Sequence, residues 1–205
     1  MSKAAELAKF IADGTLGTGV AEDKKLVFDG NAQDFHIGLD DSADDLVIGK
    51  GSALGTTTHM SFNEDGLVLK PLQPFFLAKP TTGGDGQTSD PYKFPNVIHN
   101  VGNHFVTSGT GAHERFVAPV TARYMFTATA GYLQGSNNFS TRFMINGSIF
   151  AEPVRFIQGS AASHCAFTCS IVVQLEANDY VTLSSAGFTY HINTAYNFFS
   201  GILLS

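Results

Sequence analysis

The spacing of apolar positions changes twice along the chain. Over the first dozen residues Ala4, Leu7, Ala8, Phe10 and Ile11 recur at close to a helical period, with Lys3, Glu6 and Lys9 opposite and Gly14 as a stop. This predicts a short amphipathic helix. So short a helix is marginal alone, and its apolar stripe needs a surface to lie on. The Gly-rich stretch behind it, "DGTLGTGVAEDKK", predicts a connector that lets residues 1–25 reach away as an arm.

From Leu26 to Lys70 the pattern becomes short strands between turns: "LVFDGN", "FHIGLDDSADD", "LVIGKGS", "HMSFNEDG" and "LVLKP". The unit apolar-x-Ile-Gly occurs as "FHIG" and "LVIG", a weak internal repeat. Hairpins this short cannot bury a face singly, so residues 26–78 are expected to form a β-rich stem that stacks or wraps between chains. "KPTTGGDGQTSDP", Lys79 to Pro91, reads as a linker. Residues 92–205 then carry regularly spaced strand-like runs rich in Phe, Tyr, Val and Thr, with Asn146-Gly147 as a two-residue hairpin turn. Many short strands without intervening helices predict an antiparallel sandwich or jelly roll.

The final run, "YNFFSGILLS", is apolar on both parities: Tyr196, Phe198, Ile202 and Leu204 on one, Phe199 and Leu203 on the other. A strand there needs two dry faces. A lone sandwich supplies one.

Composition removes several classes of function. A net charge of −6 with 12 Lys and Arg leaves no basic stripe for a phosphate backbone, so no nucleic acid partner is expected. No stretch reaches the roughly 18 apolar residues of a membrane span. The amino terminus lacks the apolar run and cleavage site of a secretory signal, so the chain is expected to be made in a cytosol. Cys165 and Cys169 sit four apart in a predicted strand, about 13 Å, beyond disulfide reach. Both read as small buried hydrophobes.

The candidate chemistry reads better as structure. Asp40, Asp41, Asp44 and Asp45 in "LDDSADDL" suggest a solvated turn; calcium is the alternative, but the Asp-x-Asp-x-Asp-Gly loop is missing. The seven histidines have no zinc-site spacing. Ser108, His113 and Glu114 lie near one another without a nucleophile elbow. Carboxylates are sparse in and just before the head: Asp90, Glu114, Glu152, Glu176 and Asp179 are the whole set, the last two flanking Asn178 as turn residues. No catalysis, metal or cofactor is assigned.

"ERFVAPVTARYMFTATA", "FMINGS", "VVQLEANDYVTL" and the terminal "FFSGILL" together resemble the globular head of the complement-q type, a trimeric jelly roll related to tumour necrosis factor. Phe116, Pro119, Tyr124, Phe126, Asp179, Phe199, Ser200, Gly201, Leu203 and Leu204 fit its motif, with Ala122 and Asn178 at two of its glycine positions. The resemblance implies that the last strand lies in the inner sheet, one face on the sandwich core and the other toward a threefold axis. Tyr196, Phe198, Phe199, Ile202, Leu203 and Leu204 are therefore the expected trimer contacts.

"SKAAELAKFIADGTLGTG" and the Gly- and Asp-rich hairpins behind it are similar to the openings of tailed-bacteriophage structural proteins. That resemblance implies a non-enzymatic, trimeric virion protein assembled in the bacterial cytoplasm. Its role would be capsid decoration (cement) or a short fibre. Leu7, Phe10 and Ile11 would dock the arm on other virion proteins. The alternatives are a tail-fibre protein recognising a host surface glycan or receptor, and a soluble ligand-binding jelly roll.

Overall fold

The structure is a computed structural model that describes residues 2–81, 91–107, 114–132, 138–157, 165–184, 190–191 and 195–205. It divides into two units, 1–72 and 73–205.

The first unit opens with helix α1 (Lys3–Asp13), in which the backbone N–H of Ala5 donates to the Ser2 hydroxyl at 3.3 Å as an N-cap. Gly14, Gly17 and Gly19 all adopt positive φ, so the connector bends where side chains would be strained. Strands β1 (Lys24–Phe28), β2 (Phe35–Asp40), β3 (Asp45–Lys50), β4 (Thr58–Phe62) and β5 (Val68–Leu69) then pair in chain order as an antiparallel meander. The repeated apolar-x-Ile-Gly units are the neighbours β2 and β3, joined through Asp44 at φ 55°. One face of this sheet is buried and poor in large side chains: His36, Gly38, Val47, Gly49 and Ser61. His36 donates from Nδ1 to the Gly51 carbonyl at 2.8 Å, and its ring occupies the space that a side chain on Gly49 would need.

The second unit contains β6 (Phe75–Lys79), β7 (Asn96–Val101), β8 (Phe105–Val106), β9 (Arg115–Val117), β10 (Ala122–Tyr132), β11 (Asn138–Ile145), β12 (Ser148–Ile157), β13 (Cys165–Leu175), β14 (Tyr180–Ser184), β15 (Tyr190–His191) and β16 (Phe198–Leu203). One sheet runs β13-β10-β16-β6-β7, with β15 beside β10, and the other β12-β11-β14-β9-β8. These antiparallel sheets form the predicted jelly roll.

The core between the sheets is aromatic. Phe76, Tyr92, Phe94, Phe105, Phe116, Tyr124, Phe126, Phe143 and Phe199 are all buried. Phe76 stacks on Phe105 with centroids 4.6 Å apart and meets Phe199 edge-on at 4.9 Å. Each such pair adds about 0.5–1.5 kcal/mol to the burial of its area. The Tyr124 hydroxyl donates to the Val120 carbonyl at 2.7 Å, which lets a polar ring sit in the core. Asn146 and Gly147 take φ of 50° and 78° between β11 and β12, as the hairpin signal required.

The jelly roll begins earlier than residue 92. Strand β6, expected in the stem, pairs with β16 through Gly201↔Phe76 and Ser200↔Leu77, and it supplies Phe76 and Ala78 to the core. The units divide beside Pro71 and Pro74, before the Gly-rich run rather than at it. Positions 82–90 of the expected linker lie outside the described residues, but Tyr92 behind them is already in the core, its N–H donating to the Leu183 carbonyl at 2.8 Å.

Candidate assembly surface

The sheet containing β16 has two faces of different chemistry. In β10, Tyr124, Phe126, Ala128 and Ala130 point into the core, leaving Arg123, Met125 and Thr127 on the outside. The same alternation in β16 turns Phe199, Gly201 and Leu203 toward the core and Phe198, Ser200 and Ile202 away from it. Outward side chains then align across strands by register. Val172, Met125, Ile202, Phe75 and Val101 form one apolar rung across all five strands. The next is mostly polar: Ser170, Thr127, Ser200, Leu77 and His99.

Hydroxyls on this face satisfy one another. Thr127 Oγ1 lies 2.8 Å from Ser170 Oγ, Thr129 Oγ1 lies 2.6 Å from Thr168 Oγ1, and Ser200 Oγ donates to the Thr127 carbonyl at 3.3 Å. Hydroxyls paired within the chain can be covered by another surface without stranding a donor. Val172 is 58% exposed and Ile202 37%, so the rung beside them is open in a single chain.

The six expected contact residues therefore separate. Tyr196, Phe198, Ile202 and Leu204 lie on or beside the outward face. Phe199 does not: it is 0% exposed and its ring contacts those of Phe76, Phe94, Phe105, Phe126 and Phe143. Leu203 also packs against the core. Strand alternation forces this, because the parity holding Gly201 is pressed against Phe76 and Phe126, where a Cβ would come within 2.5–2.6 Å of ring carbons. Met125, Val172, Phe75 and Val101 share the outward face and were not among the expected residues. The Val172-Val173 doublet was the available signal, since adjacent large apolar residues in a strand must face opposite ways.

In the arm, Leu7 is 59% and Ile11 74% exposed. Phe10 lies in α1, but its side chain is outside the described residues.

The remaining candidates have structural roles. Asp40 Oδ1 accepts from the Ser42 hydroxyl at 2.6 Å, and Asp23 Oδ1 accepts from the Asp41 N–H at 3.1 Å. Among the described residues no three His, Cys, Asp or Glu side chains are grouped as a metal site. Glu152 pairs with Arg142 at 3.3 Å, and Glu176 accepts from the Thr121 hydroxyl at 2.8 Å. Asp179 accepts from Asn146 Nδ2 at 2.7 Å and from the Glu176 N–H at 2.9 Å, and these bonds hold its carboxyl below the usual range. Asn178 has φ 74°, the left-handed geometry expected at this turn. Ser108 and His113 lie outside the described residues. Both cysteines lie on β13; burial pushes the Cys169 thiol up to about 11, so it is a protonated, weakly reactive group at neutral pH.

A family model, the C1q domain, matches residues 75–204, beginning at the first residue of β6. The chain belongs to the C1q-domain family. Solved structures similar to it include the globular domain of zebrafish complement 1qA, at 16% identity and a TM-score of 0.48, covering 65% of this chain and 98% of that one. Murine APRIL at pH 8.5 is 12% identical with a TM-score of 0.47, covering 64% and 99%; Eiger TNF from S. frugiperda is 14% identical at 0.44, covering 65% and 94%. No curated protein matches the sequence. C1q-type domains are typically trimeric modules that bind ligands or receptors.

Proposed function

We propose that this protein is a non-enzymatic homotrimer whose C1q head assembles through the outward face of the β13-β10-β16-β6-β7 sheet, and whose amino-terminal arm attaches it to a larger particle. The observation that carries the reading is the apolar rung Val172–Met125–Ile202–Phe75–Val101, which crosses a sheet already packed on its other side. Exposed apolar surface rimmed by satisfied polar groups is what an association face requires. In the fuller form of the reading, the particle is a tailed-phage virion and the protein decorates or cements its capsid. Exposed Leu7 and Ile11 on a helix tethered by glycines support the attachment role, and the phage-like texture of residues 2–19 supports the choice of particle.

The test removes Met1 to Lys25 and compares truncated with full-length protein in rebinding particles that lack it. The expected result is a soluble trimer that no longer sediments with particles. Equal binding by the two forms would overturn the docking role of the arm. A copy number of hundreds per particle identifies decoration, and a few trimers identify a fibre. Family membership favours one second reading, a ligand-binding module independent of any particle, which predicts a trimer that ignores particles with or without the arm.

A further inference from the structure

The stem sheet has an open face that the head does not account for. Its register aligns Leu26, Ile37, Ile48 and Met60 across β1 to β4. A parallel rung aligns Leu39, Leu46, Phe62 and Val68 across β2 to β5. Phe28 and Phe35 pair directly at one end. All lie on the face opposite buried His36, Gly38, Val47, Gly49 and Ser61. Eight of the large side chains are between 36% and 62% exposed. At roughly 150–250 Å² for a fully covered aromatic side chain and somewhat less for an aliphatic one, they present on the order of 700 Å² of apolar surface. That exceeds the largest patch of an ordinary monomer, about 300–600 Å². It approaches the roughly 800 Å² that each partner contributes to a stable interface.

We propose that this face is covered by the same face of the other copies of the chain, so that the stem is an interchain β-bundle with its apolar rungs inward. The inference rests on the trimeric reading of the head. Two observations select copies of the chain over a foreign partner. First, the face is self-complementary in charge. Its ionic members, Lys24 and Lys50, lie at rung ends, and Lys24 is neutralised by Glu22 at 2.5 Å, so identical faces meet without like charges at their centre. Second, only residues 70–74 separate the last stem strand, β5, from the first head strand, β6. A head trimer therefore holds three stem sheets at the millimolar effective concentration of a short tether. A patch too small to drive stable association between free chains is sufficient under that tether.

The chain contains no tryptophan, so one introduced residue reports on one place. Full-length protein carrying Phe62→Trp, and separately Phe28→Trp at the edge strand, is examined by emission wavelength and acrylamide quenching, with mass measured on the same samples by sedimentation. The expected result is a trimer whose Trp emission is blue-shifted and quenched several-fold more slowly than free tryptophan. Adding Ile48→Glu should return the emission to the solvent-exposed position while the head still holds a trimeric mass. Adding Ile202→Asp in the head should give an exposed reporter on a monomer. A trimer with an exposed reporter would overturn the stem interface and leave the head reading standing. A shielded reporter on a monomer would show that the chain covers its own face, which also overturns the proposal. A monomeric parent chain with an exposed reporter would overturn both readings together.

Discussion

The head and the stem each contain an antiparallel sheet with an exposed apolar rung, but what lies behind the rung differs. Behind Met125 and Ile202 are Tyr124, Phe126 and Phe199, part of an aromatic core closed by a second sheet. Behind Ile48 and Leu46 are Val47, Gly49 and the His36 ring, and among its described residues the stem unit has no second sheet of its own. Hydrophobic burial scales with the apolar area removed from water, so the head has its stability within one chain. The stem sheet buries mostly small residues, and its large ones face outward. On the proposed reading, one fold is complete before it assembles and the other becomes so through assembly. In such an arrangement the tethered heads set the stoichiometry and the stem follows it.

The strongest way to break this contrast is to attack each side of the terminal strand separately. Phe199→Ala removes a ring from the centre of the head and should cost about 3–5 kcal/mol, read as a lower midpoint in denaturant unfolding. Ile202→Asp, three residues on, lies on the parity turned away from the core and should leave the head folded. It would place a charge in the association face, where an unpaired buried charge costs several kcal/mol, so the trimer should fall to a folded monomer in sedimentation. If both substitutions unfold the protein alike, the two faces are not independent and the head does not fold before it assembles.

Much of this division was legible in the sequence, and what was not has a common cause. The helix over α1, the Asn146-Gly147 turn and the left-handed Asn178 depend on residues within a turn of one another, so local pattern sufficed. That the last strand is apolar on both parities was equally visible. Which parity faces inward was not, because it depends on Phe76 and Phe126 meeting Gly201 from strands far away in the chain. The same blindness put β6 in the stem: its partner, β16, lies more than a hundred residues later, and the glycine-rich run behind it gave a stronger but misleading boundary signal. The rungs were invisible for the same reason, since register across five strands is a property of pairing and not of spacing.

A smaller effect sharpens the comparison at Gly201. Its φ is not in the left-handed region, so conformational freedom is not why glycine is there. The reason is space: a methyl group would collide with the Phe76 and Phe126 rings. Gly201→Ala should therefore destabilise the head by about 1–3 kcal/mol through displaced rings, measurable in a thermal melt. Gly51, whose added Cβ would meet nothing within 4 Å, is the matching stem position. Its φ of 87° makes Gly51→Ala a test of backbone strain alone, expected near 1 kcal/mol. A Gly201→Ala protein as stable as the parent would mean that the head core has slack the ring contacts do not suggest.

The smallest effect concerns pH. Asp179 links two turns of the head, accepting from Asn146 Nδ2 and from the Glu176 N–H, while Asn146 Oδ1 accepts from the Tyr180 N–H at 3.0 Å. These bonds favour the carboxylate and hold its pKa in the folded chain below the usual aspartate value it keeps in the unfolded one. Between the two values the unfolded chain binds more protons than the folded one, so stability rises with pH there. The contribution is fully present above the unfolded pKa and is lost as pH falls through the folded one. Asp179→Asn should thus lower the melting temperature slightly near neutral pH, with the difference from the parent shrinking below about pH 4 as the native carboxyl protonates. A difference between Asp179→Asn and parent that stayed constant from neutral pH into strong acid would show that the turn uses the side chain's shape and hydrogen bonds rather than its charge.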